Sequence, residues 1–247
     1  MKALNRFARH RFANLNHLLK NYDGGVTLHS IRVEVKKIKA LLQLTNYCVQ
    51  KFKAHKNFIS FRALFREAGA IRQPEVFYNL LRTHHLEELT GTVVPESAQS
   101  ERLSRTLQNN LPGYILQVKK SRKKLGPDID RVKKACLRKY LRRKKKELKS
   151  RLFPQLQLSL LHKTRKIIKE IVYLELTGKP GKSRQAFYRE AESLIGQWHD
   201  KKTLILMLTK NKKTAEVQRL KKECGTDIRK LRSLIADFYG RGIQSLP

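Results

Sequence analysis

The stretch "LHSIRVEVKKIKALLQL", residues 28–44, decides the predicted fold because it combines helical periodicity with a one-sided distribution of charge. On a helix of about 100° per residue, one arc is apolar and a separate arc of about 80° is basic. The apolar arc holds Ile31, Val35, Ile38 and Leu42. The basic arc holds His29, Arg32, Lys36 and Lys39. The stretch therefore predicts a helix with one buried face and one cationic face.

The same arrangement recurs about 130 residues later in the chain. When "LHSIRVEVKKIKAL" at 28–41 is placed over "LHKTRKIIKEIVYL" at 161–174, six positions are identical without a gap. The second basic arc holds His162, Arg165, Lys166 and Lys169, and its apolar arc holds Thr164, Ile167, Ile168 and Ile171. A weaker match pairs 66–81 with 193–208 when Gly69 is placed on Gly196. We therefore predict an internal duplication, with halves at about 1–95 and 154–247.

Helical periodicity continues through most of the chain, with short breaks. The candidate breaks are "DGG" at 23–25, Gly69 to Pro74, "TGTVVPES" at 90–97, "LPG" at 111–113, "LGPD" at 125–128, Pro154, "TGKPGK" at 177–182, Gly196 and the tail from Gly240. Only "TGTVVP" offers a β run, and it is too short to build a sheet. We expect an all-α fold of roughly ten helices packed through apolar stripes.

The first predicted helix is "MKALNRFARHRFANLNHLLKNY". Its inward side chains would be Leu4, Phe7, Phe12, Leu15 and Leu18. Because this segment is Arg-rich, acid-poor and amphipathic, an organelle transit peptide remains an alternative interpretation.

Residues 119–151 form a basic connector between the two predicted halves. It contains seventeen Lys or Arg against three acids, and apolar residues recur along it at intervals that keep a stripe. Such a run of like charge is either a solvated helix or a flexible segment, and the retained stripe favours an ordered helix.

The overall charge points to an acidic partner. The 247 residues include 55 Lys or Arg and 20 Asp or Glu, a formal net charge of +35. Charge of this size destabilises a compact state unless a polyanion or salt offsets the self-repulsion. A row of cations along one helix face, called here a file, also repels itself, and each exposed pair costs a few tenths of a kcal/mol. Phosphate oxygens are the natural counter-charge, since Arg binds them bidentately and Lys binds them as a point charge.

The histidine at the start of each file can donate to phosphate when it is protonated. A bound polyanion would raise the pKa of His29 and His162 toward that state. The only ring near either file in the sequence is Tyr173, so the files offer few rings on which bases could stack. This pattern favours a ligand with closely spaced phosphates, and it leaves open which polyanion that is.

The cysteines and the length of the apolar runs indicate in which cellular compartment the protein is expected. Cys48, Cys136 and Cys224 are far apart and match no zinc or disulfide spacing, so we expect packing residues in a reducing compartment. No apolar run approaches the roughly 20 residues needed to span a bilayer, and we expect a soluble cytoplasmic protein without membrane association.

The motifs "LHSIRVEVKKIKALL" and "LHKTRKIIKEIVYLE" carry a family resemblance when taken with "REAGAIRQPEV" and "SLIGQWHD", each interpreted as a helix ending in a glycine turn. Together they resemble the CHAD family, the conserved histidine α-helical domain, from about residue 5 to about residue 240. The resemblance implies two pseudo-symmetric four-helix bundles with a basic groove or pore between them that binds inorganic polyphosphate without catalysis. It implies no cofactor, and it allows a polyphosphate-metabolising enzyme or a polyphosphate granule as partner.

Matched position by position, the resemblance assigns the binding residues. They are His29, Arg32, Lys36, Lys37, Lys39, Arg72, His162, Arg165, Lys166 and Lys169. The chain departs from the family pattern at Gln73 and Pro74, where Asp usually follows the arginine, and at His199, where Asn is usual. Glu170 and Val172 stand where the second helix is commonly basic, which weakens the second half of the predicted site.

Three other interpretations remain open. Charge alone is compatible with a nucleic-acid-binding protein, although no helix-turn-helix, zinc-finger, RRM or KH signature stands out. "HD" at 199–200 resembles a metal-dependent phosphohydrolase dipeptide, but the additional carboxylates such a site needs are lacking. In structural interpretations, His29 and His162 begin helices, "RQPEV" at 72–76 starts a helix, His199 and Asp200 cap one, and Trp198 is a core residue.

Overall fold

The computed structural model describes residues 2–93, 97–175, 182–210 and 213–241. Within these ranges every regular element is helical, which confirms the all-α prediction. The chain divides into two compact units, residues 1–140 and 141–247. The basic connector at 119–151 is therefore shared between the units.

The helices follow one another through short connections. In chain order they are α1 (Lys2–Lys20), α2 (Gly25–Cys48), α3 (Ala54–Asn57), α4 (Ile59–Thr83), α5 (Thr90–Val93), α6 (Ser97–Asp130), α7 (Lys134–Leu152), α8 (Leu161–Glu175), α9 (Lys182–Lys210) and α10 (Thr214–Arg241). Two 3₁₀ turns, Glu87–Leu89 and Leu158–Leu160, precede α5 and α8.

The first unit is built on four long helices. α1 packs against α2 and α6, and α4 packs against the same two helices, so the four enclose one core. From α1 the core takes Leu4, Phe12 and Leu15 as predicted, with Leu19 buried in place of Leu18. Glu67 of α4 accepts hydrogen bonds from Tyr114 (2.6 Å) and Asn110 (3.2 Å) of α6. This pair fixes α4, which faces the basic side chains of α2.

The second unit has a core of its own. Leu148 and Leu152 of α7 join residues of α8, α9 and α10 in one buried cluster. The contribution of α8 is its predicted apolar arc of isoleucines, all nearly inaccessible. Burial of apolar surface stabilises the fold by about 0.8 kcal/mol per CH₂ group. Rotation of α8 about its axis would expose the isoleucine arc, so this burial strongly favours one orientation of α8. The basic arc of α8 therefore faces outward from this core.

Several predicted helix breaks are wrong. Gly69 and Pro74 lie inside α4, "LPG" at 111–113 lies inside α6, and Gly196 lies inside α9. The structural alternatives that placed a helix start at 72–76 and a cap at His199 and Asp200 are wrong for the same reason. Local glycine and proline preferences are weak, and packing along a long apolar stripe overrides them.

Other predicted breaks agree with the structure. The chain turns between α1 and α2 at "DGG", where Gly24 has φ 107°. α7 ends just before Pro154 as predicted, whereas "LGPD" at 125–128 lies inside α6, so the break predicted there is wrong. Thr90–Val93 is helical instead of a β run, and residues 94–96 lie outside the described residues. The break at "TGKPGK" and the tail beyond Gly240 also lie almost entirely outside them, while residues 131–133 interrupt the predicted connector helix.

The interpretation of the cysteines as unpaired packing residues is wrong for two of them. Cys48, which ends α2, and Cys136, near the start of α7, form a disulfide with Cα atoms 5.9 Å apart. The two positions are 88 residues apart in sequence, and spacing of that kind gives no indication of proximity in the fold. Cys224 is free and buried. Because structural disulfides are uncommon in a reducing cytosol, the cysteines no longer support a reducing compartment.

None of the helices in the described part of the chain is long and apolar enough to cross a bilayer.

Candidate functional site

The two faces predicted for α2 are present. Ile31, Val35, Ile38 and Leu42 are at most 1% exposed. The opposite arc, called here the first basic face, comprises His29, Arg32, Lys36 and Lys39. His29 and Lys39 are exposed, whereas Arg32 and Lys36 are partly covered by α4. Side chains of α2 and α4 therefore both contribute to this surface.

Arg32 is held against α4 by three contacts at one point. Its Nη1 donates to the backbone carbonyl of Phe65 at 2.7 Å, and its Cζ lies 4.0 Å from the centre of the Phe65 ring. The guanidinium also lies against Gly69, where an added Cβ would stand 3.0 Å from Cζ and closer still to Nη1. The absence of a side chain at Gly69 thus leaves the space that the Arg32 guanidinium occupies. Gly69 does not end a helix.

Two aromatic rings, one within α4 and one immediately before it, lie beside the first basic face. Lys36 Nζ lies 5.7 Å from the Phe65 ring, and Lys39 Nζ lies 5.4 Å from the Phe58 ring, both within cation–π range. The expectation of an aromatic-poor file is therefore wrong for the first unit. These rings come from another part of the chain, and the sequence of α2 does not reveal them.

Arg72 extends the cationic surface from α4. Burial, and then the charge of Arg72, lower the pKa of Arg32, so the positive charge of Arg32 is held at a cost. Arg72 Nε is buried without a hydrogen-bond acceptor among the described residues, and Glu75 Oε2 lies 4.0 Å from it. Two guanidinium groups that repel each other in a partly dry site favour a bound anion.

Lys37 lies apart from the first basic face. Its Nζ donates to Glu34 Oε1 at 2.8 Å, and Arg11 of α1 donates to the same oxygen at 2.9 Å. Glu34 is 3% exposed, so this carboxylate sits in the core side of α2 and draws both cations to it. The binding role of Lys37 stays a prediction, and it would require Lys37 to leave this ion pair.

The second unit repeats the arginine–glycine contact. Arg165 of α8 lies against Gly196 of α9, where an added Cβ would stand 2.9 Å from Nη2 and 3.1 Å from Cζ. The second basic face comprises His162, Arg165, Lys166 and Lys169, of which His162 and Lys166 are exposed. The two pairs that the sequence alignment matched, Arg32 with Arg165 and Gly69 with Gly196, therefore make the same contact in each unit.

A carboxylate distinguishes the second face from the first. Glu192 Oε1 accepts from Arg165 Nε at 2.7 Å, and Lys169 Nζ lies 3.1 Å from the same oxygen. Burial would raise the pKa of Glu192, but the hydrogen bond and charge of Lys169, with Arg165, lower it overall. Glu192 stands four residues before Gly196, as Phe65 stands four residues before Gly69. The cations of the second basic face are therefore partly neutralised by Glu192, whereas at the corresponding position of the first basic face Arg32 contacts the ring of Phe65.

Two histidines meet at the N-terminal end of the second basic face. The rings of His162 and His199 are stacked with centroids 4.7 Å apart. Burial first, and then the charges around it on Lys166, His199 and Arg165, lower the pKa of His162. His199 Nδ1 lies 3.6 Å from Asp200 Oδ1. The lowered pKa keeps the His162 ring mainly neutral at pH 7, and an anion placed beside it would favour its protonation.

Glu170 does not add a negative charge to the second basic face. It is 8% exposed, and Lys144 of α7 lies 3.2 Å from its Oε2. Across the described residues, no group of three or more His, Cys, Asp or Glu side chains is arranged to hold a metal ion.

Sequence reasoning missed three participants: Phe65, Glu192 and the stacking partner His199. The available signal was the sequence alignment of Gly69 with Gly196, in which Phe65 aligns with Glu192 and Arg72 aligns with His199. Interpreting both glycines as turns concealed it, because positions before a turn would not share a face with positions after it.

Comparison with known proteins identifies the family. No curated protein and no solved structure matches the chain. The CHAD domain family matches residues 3–209, which include both basic faces and the two glycines packed against their arginines. The chain belongs to the CHAD domain family.

Proposed function

We propose that the chain binds inorganic polyphosphate through its two basic faces and catalyses no reaction on it. The observation that supports this most is the repeated contact in which a glycine on a neighbouring helix admits an arginine, Arg32 at Gly69 and Arg165 at Gly196. Each contact fixes a guanidinium that presents paired donors, the geometry that phosphate oxygens accept. The repetition also supports the proposed duplication.

The charge balance supports a polymer over a single phosphate. A net charge of +35 and two cationic files call for a ligand with many closely spaced negative charges. Polyphosphate carries about one charge per unit, and neutralising it would release condensed cations as nucleic acid does. Affinity should therefore fall linearly on a log–log plot against salt. Whether one polymer engages both faces in a groove stays a prediction of the family resemblance.

The first basic face should contribute more affinity than the second. Glu192 shares its charge with Arg165 and Lys169, whereas Phe65 supplies a ring and a carbonyl dipole to Arg32. A polyphosphate on the second face would have to compete with a carboxylate already in place. The buried position of Glu170 adds no further competition.

A charge-matched pair of variants tests this proposal. Replacing Arg32, Lys36, Arg165 and Lys169 together by Ala should abolish binding of medium-chain polyphosphate while leaving the helical circular dichroism intact. The control replaces four exposed lysines elsewhere, Lys20, Lys51, Lys133 and Lys222, and lowers the net charge equally. Equal losses in the two variants would mean general attraction and would remove the two faces from the site.

Nucleic acid is the second candidate, favoured by one observation. Phe65 and Phe58 place rings beside the cations of the first face, and bases stack on such rings. Competition between polyphosphate and single- or double-stranded DNA, at matched phosphate concentration and salt, separates the two. Chain shortening of polyphosphate during incubation with Mg²⁺ or Mn²⁺ would contradict the proposal that no reaction occurs.

A further inference from the structure

A cleft in the second unit shares no residue with either basic face. It has a volume of about 370 Å³ and lies between α9 and α10, with Leu158 beside it. Small-molecule sites typically enclose about 300–1,000 Å³. Its apolar lining is Leu158, Trp198, Ile205, Cys224 and Ile228. Its cations are Lys202, Lys221, Arg229 and Arg232, and the lining includes no acid.

Helical spacing places these residues in two facing stripes. Lys221, Gly225, Ile228 and Arg232 recur at i, i+4, i+7 and i+11 on α10. Trp198, Lys202 and Ile205 recur at i, i+4 and i+7 on α9. Residues at these intervals share one helix face. On α9 Lys202 therefore lies between Trp198 and Ile205, whereas on α10 Lys221 and Arg232 flank Gly225 and Ile228.

Trp198 gives the cleft a large ring. It is the only tryptophan of the chain, and it packs partly against the core cluster of the second unit while remaining partly exposed. Leu158, which also lines the cleft, is 41% exposed. An indole with one side supported by a core is a rigid surface for stacking.

Gly225 leaves room in the middle of the cleft. A Cβ added there would meet no heavy atom within 4 Å, so packing does not require a glycine at this position. Glycine is unfavourable inside a helix compared with alanine, and α10 bears that cost in its interior. The missing side chain keeps the space next to Trp198 open.

We propose that this cleft binds a nucleoside triphosphate. Four cations without a lining acid favour a multiply charged phosphate group, and the apolar middle with its indole favours a flat ring. Inorganic polyphosphate supplies the charge but has no ring for Trp198. The nucleobase lies against Trp198 and Ile228, and the phosphates extend along the cleft toward Lys202 and Lys221. This site is independent of the polyphosphate faces.

Intrinsic fluorescence tests the site directly because Trp198 is the sole tryptophan. The full chain is titrated with ATP at an ionic strength of about 0.15 M, where exposed charges more than about 8 Å apart are screened. We expect saturable quenching by ATP. Inorganic triphosphate, which lacks the base, and adenosine, which lacks the charge, should each bind about tenfold more weakly.

Two matched variant pairs locate the binding. Gly225→Leu fills the cleft and should lower ATP affinity at least about tenfold, whereas Gly240→Leu in the same helix should leave it unchanged. Lys221→Gln should weaken ATP binding, and its exposed neighbour Lys222→Gln should not. Since removing a helix glycine favours the fold, Gly225→Leu should remain folded.

Measuring polyphosphate affinity distinguishes failure of this site from failure of the proposed function. Gly225→Leu should keep its polyphosphate affinity, whatever that affinity is. If inorganic triphosphate quenches Trp198 as strongly as ATP, or if Gly225→Leu binds ATP normally, the nucleotide site is refuted. Absence of any fluorescence change and of any heat of ATP binding would refute it as well.

Discussion

The guanidinium of Arg32 occupies the space that a side chain at position 69 would fill: a Cβ on Gly69 would lie 3.0 Å from Arg32 Cζ. Arg165 and Gly196 make the corresponding contact in the second unit. In each case a residue without a side chain lets a basic helix place its arginine flat against its neighbour. The glycines therefore set the direction in which two of the proposed ligand-binding cations point.

Replacing Gly69 by Ala should separate binding from stability. The methyl group would push Arg32 off Phe65, and polyphosphate affinity should fall about tenfold because one bidentate donor is lost. Stability should change by less than about 1 kcal/mol, since alanine is favoured over glycine inside a helix by a similar amount. Affinity by titration and stability by urea unfolding measure the two effects.

Gly113→Ala is the control for this variant. Gly113 is exposed inside α6, and an added Cβ there meets nothing within 4 Å. This variant should gain stability and keep its affinity. If Gly69→Ala also keeps its affinity, the position of the Arg32 guanidinium does not matter for binding.

Removing the carboxylate of the second face should strengthen binding. Glu192→Gln releases Arg165 and Lys169 from the oxygen they share, so polyphosphate affinity should rise several-fold and the salt dependence should steepen. Stability should fall by about 1 kcal/mol, a modest loss because the pair is partly exposed. Glu190→Gln, an exposed residue of the same helix, is the matched control. A weakened affinity in Glu192→Gln would mean that the carboxylate positions the cations for ligand.

The ionised Glu192 carboxylate should also affect how the free energy of unfolding changes at acidic pH. Because its pKa in the folded chain lies below the ordinary value, the ionised carboxylate contributes stability above the unfolded pKa, near 4.5. That contribution is lost as the pH falls through the lowered folded pKa. The difference in unfolding free energy between the wild type and Glu192→Gln should therefore shrink below about pH 4.

The sequence was sufficient for the two-faced helices and insufficient for what stands opposite them. A period of 3.6 residues fixes which side of α2 is buried, so Ile31, Val35 and Ile38 were predictable. The partners of the basic face come from α4 and α9, and nothing in the sequence of α2 or α8 encodes Phe65 or Glu192. Their positions required knowing that Gly69 and Gly196 lie within helices.

Glycine carries two meanings that local sequence does not separate. At Gly24 a positive φ of 107° lies in the turn immediately before α2, as the turn interpretation expects. At Gly69 and Gly196 the backbone is helical and the missing Cβ admits an arginine. Only the tertiary neighbour distinguishes a turn from a close approach, and the same limit applies to Cys48 and Cys136.

Binding of polyphosphate should take up protons. In the unliganded chain, burial and then Lys166, His199 and Arg165 lower the pKa of His162 below 6.5, so the ring is mainly neutral at pH 7. A polyanion on the second face would raise that pKa. Affinity should therefore increase as the pH falls from about 8 to about 6. Calorimetry in buffers of different ionisation enthalpy counts the protons, and His162→Asn should take up fewer.

The stability of the unliganded chain should depend on pH in the opposite direction. Because the pKa of His162 is lower in the folded chain than in the unfolded one, the folded state favours the neutral ring. The stability from this group is complete above the unfolded pKa and is lost as the pH falls through the folded pKa. His162→Asn should flatten the stability profile below about pH 6.5, and an unaltered profile would contradict the assignment.

The Cys48–Cys136 bond should stabilise the first unit without affecting the first basic face. Closing a loop of 88 residues limits the unfolded chain, so a Cys48→Ser, Cys136→Ser variant should lose about 2–4 kcal/mol of unfolding free energy. Reductant should lower the stability of the wild type and of Cys224→Ser but not that of the double variant. Lys39 lies nine residues before Cys48, about 14 Å along the helix, so affinity below the unfolding transition should be unchanged. A wild type that is indifferent to reductant would show that the bond does not contribute.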